Sequence, residues 1–264
     1  RVSNGMDFSY PGYNEMLTGI ADPRIDTNDP VPNPNVTVFE WLNRMEPFRG
    51  KAAAYATWSV FDAIFNRARS GLRICAGWRP EAACLGPPVP PNLKRLYETT
   101  TPYWRDNVWD SFMQAAVLEE IRQNRPRVLF VGYGETDEWA HLGRYDLYLE
   151  SARQWDAFVR ELWETMQAMP EYRGTTAFVL TTDHGRGSGF EEWKDHDTVV
   201  PGSSDMWIAA LGPGVPAMGE RRNAPTVTQA QIAATLAALL GEDYRRAFPA
   251  AAPVLPDLPG PGRP

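Results

Sequence analysis

The sequence predicts an α/β fold with a mainly parallel central sheet sandwiched between helices. Continuous apolar runs are typical of strands buried on both faces, and the chain has such runs at 127–132, 176–182 and 206–211. Stretches with the apolar spacing of helices alternate with these runs, which favours a parallel sheet. Because ligands of such folds bind beyond the carboxyl ends of the strands, the residues that follow each strand are candidates for a functional site.

The first predicted helix begins near the amino end of the chain. We expect Ser9 as its N-cap, Pro11 in its first turn and Gly19 as its C-terminal cap. A serine at this position faces free backbone N–H groups and the positive end of the helix dipole, which suits a phosphate or sulfate group. A serine that only caps the helix is the alternative interpretation.

The later elements continue the alternation of helix and strand. A helix at 37–45 starts with Thr37 and Glu40 at the spacing of a capping box, and a strand follows at 52–60. Further helices are predicted at 61–69, 107–123, 147–169 and 228–240, the last with Thr226 or Thr228 as its N-cap. We expect residues 1–248 to form a single domain and the Pro-rich residues 249–264 to form a poorly ordered tail.

Composition excludes several classes of protein. The 264 residues are 43% hydrophobic and carry a net charge of −7, and no apolar run is long enough to span a bilayer. An acidic chain without a basic cluster is not expected to bind a nucleic-acid polymer. The two cysteines, Cys75 and Cys84, are compatible with a disulfide or with two buried thiols, and the sequence leaves both open.

All three histidines of the chain lie close to aspartates. Asp137 and His141 follow the predicted strand at 127–132 and share one face of a helix, whereas Asp183 and His184 follow the strand at 176–182 directly. His196 lies in the loop that comes next. Imidazole with carboxylate suits Zn²⁺, Mn²⁺ or iron better than Ca²⁺ or Mg²⁺. Each pair alone has an ordinary structural explanation, but their shared placement predicts a metal centre.

These segments together resemble the alkaline phosphatase superfamily, in particular its type I phosphodiesterases and nucleotide pyrophosphatases. Ser9-Tyr10-Pro11 with Leu17-Thr18-Gly19 is similar to the helix that carries the nucleophile of that superfamily. Asp137-x₃-His141 is similar to its first Asp/His pair, and Asp183-His184-Gly185 matches its most specific signature. His196 takes the place of its last histidine ligand. The resemblance implies an alkaline-phosphatase-like fold and a hydrolase of phosphoric esters, either monoesters or diesters.

The resemblance also implies a site with two divalent metal ions, with zinc expected and manganese as the alternative. One ion would be held by Asp137, His141 and His196, and the other by Asp183, His184 and the oxygen of Ser9. Ser9 would act as the nucleophile and form a phosphoserine intermediate. Arg186 and Asn28 are expected to bind the substrate, a small phosphate ester.

One further ligand of the superfamily is an aspartate at the end of the first core strand, upstream of the nucleophile. Only eight residues precede Ser9, and Asp7 is too close to it for that role, so we expect this first strand to be missing upstream. A phosphomutase and a non-catalytic metal-binding module without that strand are the alternatives to a hydrolase. A mononuclear iron oxygenase is a third, which the resemblance does not support. We expect a periplasmic or secreted location, and the oligomeric state stays open.

Overall fold

A computed structural model describes residues 1–78, 90–222 and 224–258. Contacts divide the chain into two compact units. The first unit combines Arg1–Asn28 with the chain from Met166 onward, and the second unit is Asp29–Thr165. Helices and strands alternate in the chain, so the α/β class is confirmed. The assignment of residues 1–248 to a single domain stays a prediction.

The second unit contains a parallel sheet, as the apolar runs predicted. Its described strands are β1 (Ala52–Ala56), β2 (Arg73–Ala76) and β3 (Val128–Gly132), in the order β2-β1-β3. Both neighbours of β1 run parallel to it, and every residue of β1 is buried. The predicted strand at 52–60 therefore ends four residues early, and β2 was not predicted because its apolar run is too short to be recognised.

Helices of the second unit pack on this sheet. Phe39, Phe61, Phe65 and Phe130 form an aromatic core with ring centroids 5.2 to 6.2 Å apart. The single helix predicted at 61–69 is wrong, because Asn66 adopts a left-handed conformation with φ of 45° and divides it. The described helices are α2 (Val38–Arg44), α3 (Phe61–Ile64), α4 (Arg67–Ser70), α5 (Pro91–Thr99), α6 (Asp110–Asn124), α7 (Glu135–His141) and α8 (Tyr145–Ala168), the last of which continues into the first unit.

The strands of the first unit depart from the prediction. Strands β4 (Phe178–Thr181) and β5 (Ile208–Leu211) pair antiparallel, and their residues are half-buried or exposed. The expectation that both are buried strands of the parallel sheet is wrong. The connection between them contains one short 3₁₀ turn, Glu192–Lys194, in place of the helical crossover that parallel strands require.

Helix α1 (Ser9–Thr18) of the first unit starts one residue earlier than expected. Phe8, not Ser9, occupies the N-cap position, and Ser9 is the first helical residue. Gly19 ends the helix in a left-handed conformation with φ of 77°, which confirms the predicted cap. A side chain added at Gly19 would meet Ala251, whose Cβ would lie 2.8 Å from it.

The carboxyl-terminal part of the first unit packs against α1. It contains α9 (Gln231–Leu239) and α10 (Tyr244–Ala247), and α9 contacts α1. Ala230 is the N-cap of α9 in place of Thr226 or Thr228, while the Gln231 side chain accepts from the Thr228 N–H at 3.0 Å.

The Pro-rich tail is better held than its composition suggests. The Ala252 N–H donates to the Gly19 carbonyl at 2.9 Å, and the Leu255 N–H donates to Thr235 Oγ1 at the same distance. The expectation of poor order is therefore wrong for residues 249–258, because backbone donors of this segment find acceptors at the Gly19 carbonyl and at Thr235. Residues 259–264 lie outside the described part of the chain.

Of the two cysteines, Cys75 is buried on β2, and Cys84 lies outside the described residues. In the part of the chain that the structure describes, no helix combines the length and the apolar character needed to cross a membrane.

Candidate active site

Ser9 lies at a place where α1 approaches the end of β4 closely. A Cβ atom added at Gly12 would lie 2.5 Å from the backbone oxygen of Asp183. Only glycine at this position lets the first turn of α1 pack directly on the Asp183 backbone. This approach leaves the Ser9 hydroxyl 3.4 Å from Nε2 of His184, so the predicted nucleophile and the Asp-His-Gly segment meet within one unit.

His184 is oriented by a backbone contact. Its ring is buried, and Nδ1 lies 2.8 Å from the Gly185 carbonyl oxygen. A carbonyl oxygen only accepts, so Nδ1 donates to it, and in the neutral imidazole Nε2 then carries the lone pair. That lone pair faces Ser9, and it lies 3.5 Å from Oδ2 of Asp183.

Gly185 allows Asp183 and His184, the two residues before it, to lie in a tightly packed loop. A Cβ atom here would lie 2.0 Å from the Asp205 oxygen and 2.2 Å from the Gly202 oxygen, and both are rigid backbone atoms. The Gly185 N–H donates to the Ser203 carbonyl at 2.7 Å. The third residue of the Asp-His-Gly segment is thus required by packing rather than by chemistry.

His196 stacks on His184. The two ring centroids are 3.8 Å apart and the planes differ by 23°. Nδ1 of His196 lies 3.2 Å from the backbone oxygen of Asp7 and donates to it, which makes Nε2 the lone-pair nitrogen in the neutral imidazole. Burial raises the pKa of the Asp7 carboxyl, while the neighbouring His184 acts in the opposite direction. The first unit therefore brings together Ser9, Asp183, His184 and His196.

Glu15 fixes the segment that leads into Ser9, a role that sequence reasoning missed. Its buried carboxylate accepts from the backbone N–H groups of Ser3 and Asn4 at 3.1 to 3.2 Å, and from the Gln229 amide at 3.1 Å. Asn4 Oδ1 in turn accepts from the Met6 N–H at 2.8 Å. This network holds the backbone just before Asp7, the residue whose carbonyl orients His196. The signal available in the sequence was that Glu15 is the one charged residue in the segment that forms α1.

The two residues expected to bind substrate have other contacts in the structure. Asn28 Oδ1 accepts from the Tyr10 N–H at 2.8 Å, so the Asn28 side chain caps the start of α1. Nη1 of Arg186 donates to the Lys194 carbonyl at 2.7 Å and thereby braces the loop before His196. A role in substrate binding stays a prediction for both.

The second unit carries the other Asp/His pair on α7. Oδ2 of Asp137 lies 3.3 Å from Nε2 of His141, and both side chains are more than a third exposed. The spacing of four residues places them on one helix face, as predicted. Between them, Glu138 accepts from the Asn107 amide, and burial together with the charges of Asp137 and Asp106 raises the pKa of Glu138 to about 7.

A pair of buried carboxyl groups connects α7 to α6. Asp110 and Glu135 are the first residues of these two helices, and both side chains are buried. Burial and the charge of Glu135 raise the pKa of Asp110 to about 8, although the N–H groups of Gly134 and Glu135 oppose the shift. Asp110 is therefore protonated at neutral pH in the folded protein and ionised in the unfolded chain, whose aspartates have a pKa near 3.9.

This difference predicts how stability depends on pH. Between about pH 4 and pH 8 the folded state holds up to one proton more than the unfolded state, so the free energy of unfolding falls as pH rises, by at most about 1.4 kcal/mol per pH unit. The Asp110→Asn side chain cannot titrate, so this variant should lose the pH dependence of the free energy of unfolding that Asp110 contributes. Urea unfolding of the chelator-treated wild type and variant at pH 5, 6, 7 and 8 measures this free energy. Parallel stability curves would contradict the expectation.

The donors in both units fit a divalent metal ion. Imidazole and carboxylate lone pairs that face each other at 3.3 to 3.5 Å repel unless a proton or a cation lies between them. In the first unit, the carbonyl contacts of His184 and His196 hold the ring protons on Nδ1, which is the arrangement typical of histidines that bind zinc through Nε2. The donor set matches the nitrogen and oxygen ligands of zinc.

Comparison with known families identifies the class of protein. The family described as type I phosphodiesterase / nucleotide pyrophosphatase matches residues 21–243. The chain belongs to this family and so to the alkaline phosphatase superfamily, which confirms the resemblance inferred from its motifs. At the level of the family, the chain is therefore a phosphoester hydrolase of the phosphodiesterase and nucleotide pyrophosphatase type. The match begins after Ser9, and neither curated proteins nor solved structures yielded a match.

Proposed function

We propose that this chain hydrolyses phosphoric esters with Ser9 as nucleophile and two divalent metal ions as cofactors. The observation that carries the proposal is the meeting of Ser9 Oγ and His184 Nε2 at 3.4 Å, beside Asp183. Family membership supports the hydrolase class, and the name of the family favours a diester over a monoester.

Ser9 Oγ would attack phosphorus and displace one ester group, which leaves as an alcohol and carries away the hydroxyl proton. Water would then cleave the bond between Ser9 Oγ and phosphorus in the resulting phosphoserine and regenerate the hydroxyl. The hydroxyl is well placed for attack because it projects from the first turn of α1, where the helix dipole favours negative charge. The close contact at Gly12 and the cap from Asn28 hold this turn, so little reorganisation is needed during attack. In-line displacement needs a nucleophile held in this way.

The ligand assignment that we propose is the one implied by the resemblance. Asp183, His184 and Ser9 would hold one ion, and Asp137, His141 and His196 would hold the other. Zinc is the expected metal, with manganese as the alternative, because imidazole and carboxylate donors suit both. Such ions supply Lewis-acid stabilisation of the charge that develops on the attacking and leaving oxygens.

We propose a small phosphate ester as substrate and a periplasmic or secreted location. The net charge of −7 opposes binding of a nucleic-acid polymer, whose affinity depends on many lysine and arginine contacts. Small esters need only local positive charge, which the metal ions would provide.

Metal analysis and aryl esters test this proposal together. We expect wild-type protein to hold two zinc or manganese equivalents and to hydrolyse bis(p-nitrophenyl) phosphate faster than p-nitrophenyl phosphate or an aryl phosphonate. Fewer than two equivalents, or no turnover of any of these esters by metal-loaded protein, would contradict it.

The histidine ligands give a sharper expectation. His141→Ala or His196→Ala should each lower the metal content from two equivalents to one, because an ion that loses an imidazole retains too few protein ligands. Asp146→Ala is the control, since Asp146 is an exposed aspartate at the start of α8 that pairs with Arg144. Elemental analysis after gel filtration measures the content. Two equivalents in either histidine variant would refute the ligand assignment.

A further inference from the structure

The two buried carboxyl groups at the starts of α6 and α7 cap each other's helix. Asp110 Oδ1 accepts from the Gly134 N–H at 2.9 Å and from the Glu135 N–H at 3.3 Å, which are the first donors of α7. Glu135 Oε1 accepts from the Asp110 N–H at 2.8 Å, at the start of α6. Each side chain thus satisfies backbone donors of the opposite helix, in place of the usual cap by a neighbour in sequence.

Glu135 also attaches α7 to its surroundings through its second oxygen. Oε2 accepts from Nε1 of Trp139 at 3.2 Å and lies 3.5 Å from Oγ of Ser151 on α8. Trp139 lies between Asp137 and His141 on the short helix α7. Glu135, the first residue of α7, therefore links the start of this helix to α6, and its second oxygen binds Trp139 further along α7.

The buried pair Asp110 and Glu135 is a costly way to join two helices. Two carboxyl groups buried next to each other are costly, and an apolar pair would generally pack with less penalty. The geometry, however, fixes α7 at several points although α7 has only seven residues and its Asp137 and His141 side chains are more than a third exposed. Ligands must be held within a fraction of an ångström for a metal ion to bind well.

We propose that Asp110 and Glu135 are positioning residues that hold α7 so that Asp137 and His141 present their oxygen and nitrogen to one metal ion. This inference rests on the proposed function, because it takes Asp137 and His141 as metal ligands. Asp110 and Glu135 do not touch the ion or the substrate. They act through the backbone of α7, as residues behind metal ligands commonly do.

Zinc affinity, measured by competition with a chelating dye on purified protein, tests the inference. Asp110→Ala removes the oxygen that accepts from the Gly134 and Glu135 N–H groups, and should weaken one of the two zinc equivalents by about 10- to 100-fold. Asp110→Asn keeps an acceptor oxygen and should bind zinc within about threefold of wild type. Asp243→Ala is the matched control, because Asp243 caps α10 by accepting from the Arg246 N–H, and α10 carries none of the proposed ligands. It should lose stability but no zinc affinity.

Glu135→Gln keeps the inference testable if Asp110→Ala fails to fold. Either orientation of the amide places its NH₂ group against an N–H donor, on one side the Asp110 backbone N–H and on the other the indole N–H of Trp139. We expect this variant to weaken one zinc equivalent while Asp110→Asn does not.

The outcomes separate this inference from the proposed function. Suppose that wild-type protein binds two zinc ions and that folded Asp110→Ala or Glu135→Gln binds them equally well. This result would overturn the inference and leave the proposed function intact. An Asp243→Ala variant that loses zinc affinity as strongly as Asp110→Ala would overturn it too, because the effect would then follow from lost stability. Wild-type protein that binds no zinc or manganese would overturn the proposed function and this inference with it.

Discussion

Replacing Ser9 with alanine is expected to lower kcat for bis(p-nitrophenyl) phosphate by at least about a thousandfold, with metal content nearly unchanged. The hydroxyl oxygen is the group proposed to attack phosphorus, and alanine leaves nothing to form the phosphoserine. The imidazole and carboxylate groups of His184 and Asp183 are untouched, so the proposed metal ligands other than Ser9 remain in place. Steady-state kinetics and elemental analysis on the same preparation measure both quantities.

A second serine of the first unit provides the control. Ser204 accepts a hydrogen bond from Arg1 through its hydroxyl and has no contact with Ser9 or the histidines among its described hydrogen bonds. Ser204→Ala should retain wild-type kcat. If Ser9→Ala also keeps wild-type turnover, Ser9 is not the nucleophile, and the hydrolase would require another group for that step.

Replacing Gly12 with alanine is expected to reduce kcat by about a hundredfold although the added methyl group touches no substrate. The new Cβ would lie 2.5 Å from the Asp183 oxygen and 3.3 Å from the Asp183 carbonyl carbon. Neither backbone can yield easily, so α1 must move away from the Asp183–His184 segment. A displacement of about 1 Å between reacting groups costs on the order of a hundredfold in rate.

Gly174→Ala is the matched control for this change. Gly174 has a positive φ of 69° with open space around its Cβ position, so alanine there costs backbone strain without pushing any element. We expect both variants to lose stability in urea unfolding and only Gly12→Ala to lose activity. Wild-type kcat in Gly12→Ala would show that the close approach of α1 to Asp183 has no catalytic importance.

The sequence predicted the parts of the site that local chemistry determines. The Asp-His-Gly segment follows β4, and Asp137 and His141 follow β3 on one helix face, as expected from the apolar runs and the spacing of four. Gly19 and the Thr37 cap of α2 were predicted because each depends on residues within a few positions along the chain. The family match supports the same conclusion over residues 21–243.

Features that depend on distant residues were not predictable in this way. An apolar run does not reveal the direction of its partner, so the antiparallel pairing of β4 and β5 was missed. The break at Asn66 depends on a single left-handed residue inside a helical pattern. The contact between Asp110 and Glu135 joins residues far apart in sequence, and Asp110 was assigned to the interior of a helix whose start was placed three residues too early.

The start of α1 has a consequence for how the protein would capture an anion. Its first-turn amides are largely committed: Tyr10 donates to Asn28, Pro11 has no N–H, and Gly12 donates to the Phe8 carbonyl. A phosphoryl group arriving at Ser9 therefore finds few amide protons and meets the acidic side chains of Asp7 and Asp183. If the proposed metal centre is present, recruitment of the negatively charged ester would fall largely to its cations, so the supply of trace metal in the surroundings would govern how well the protein engages its substrate.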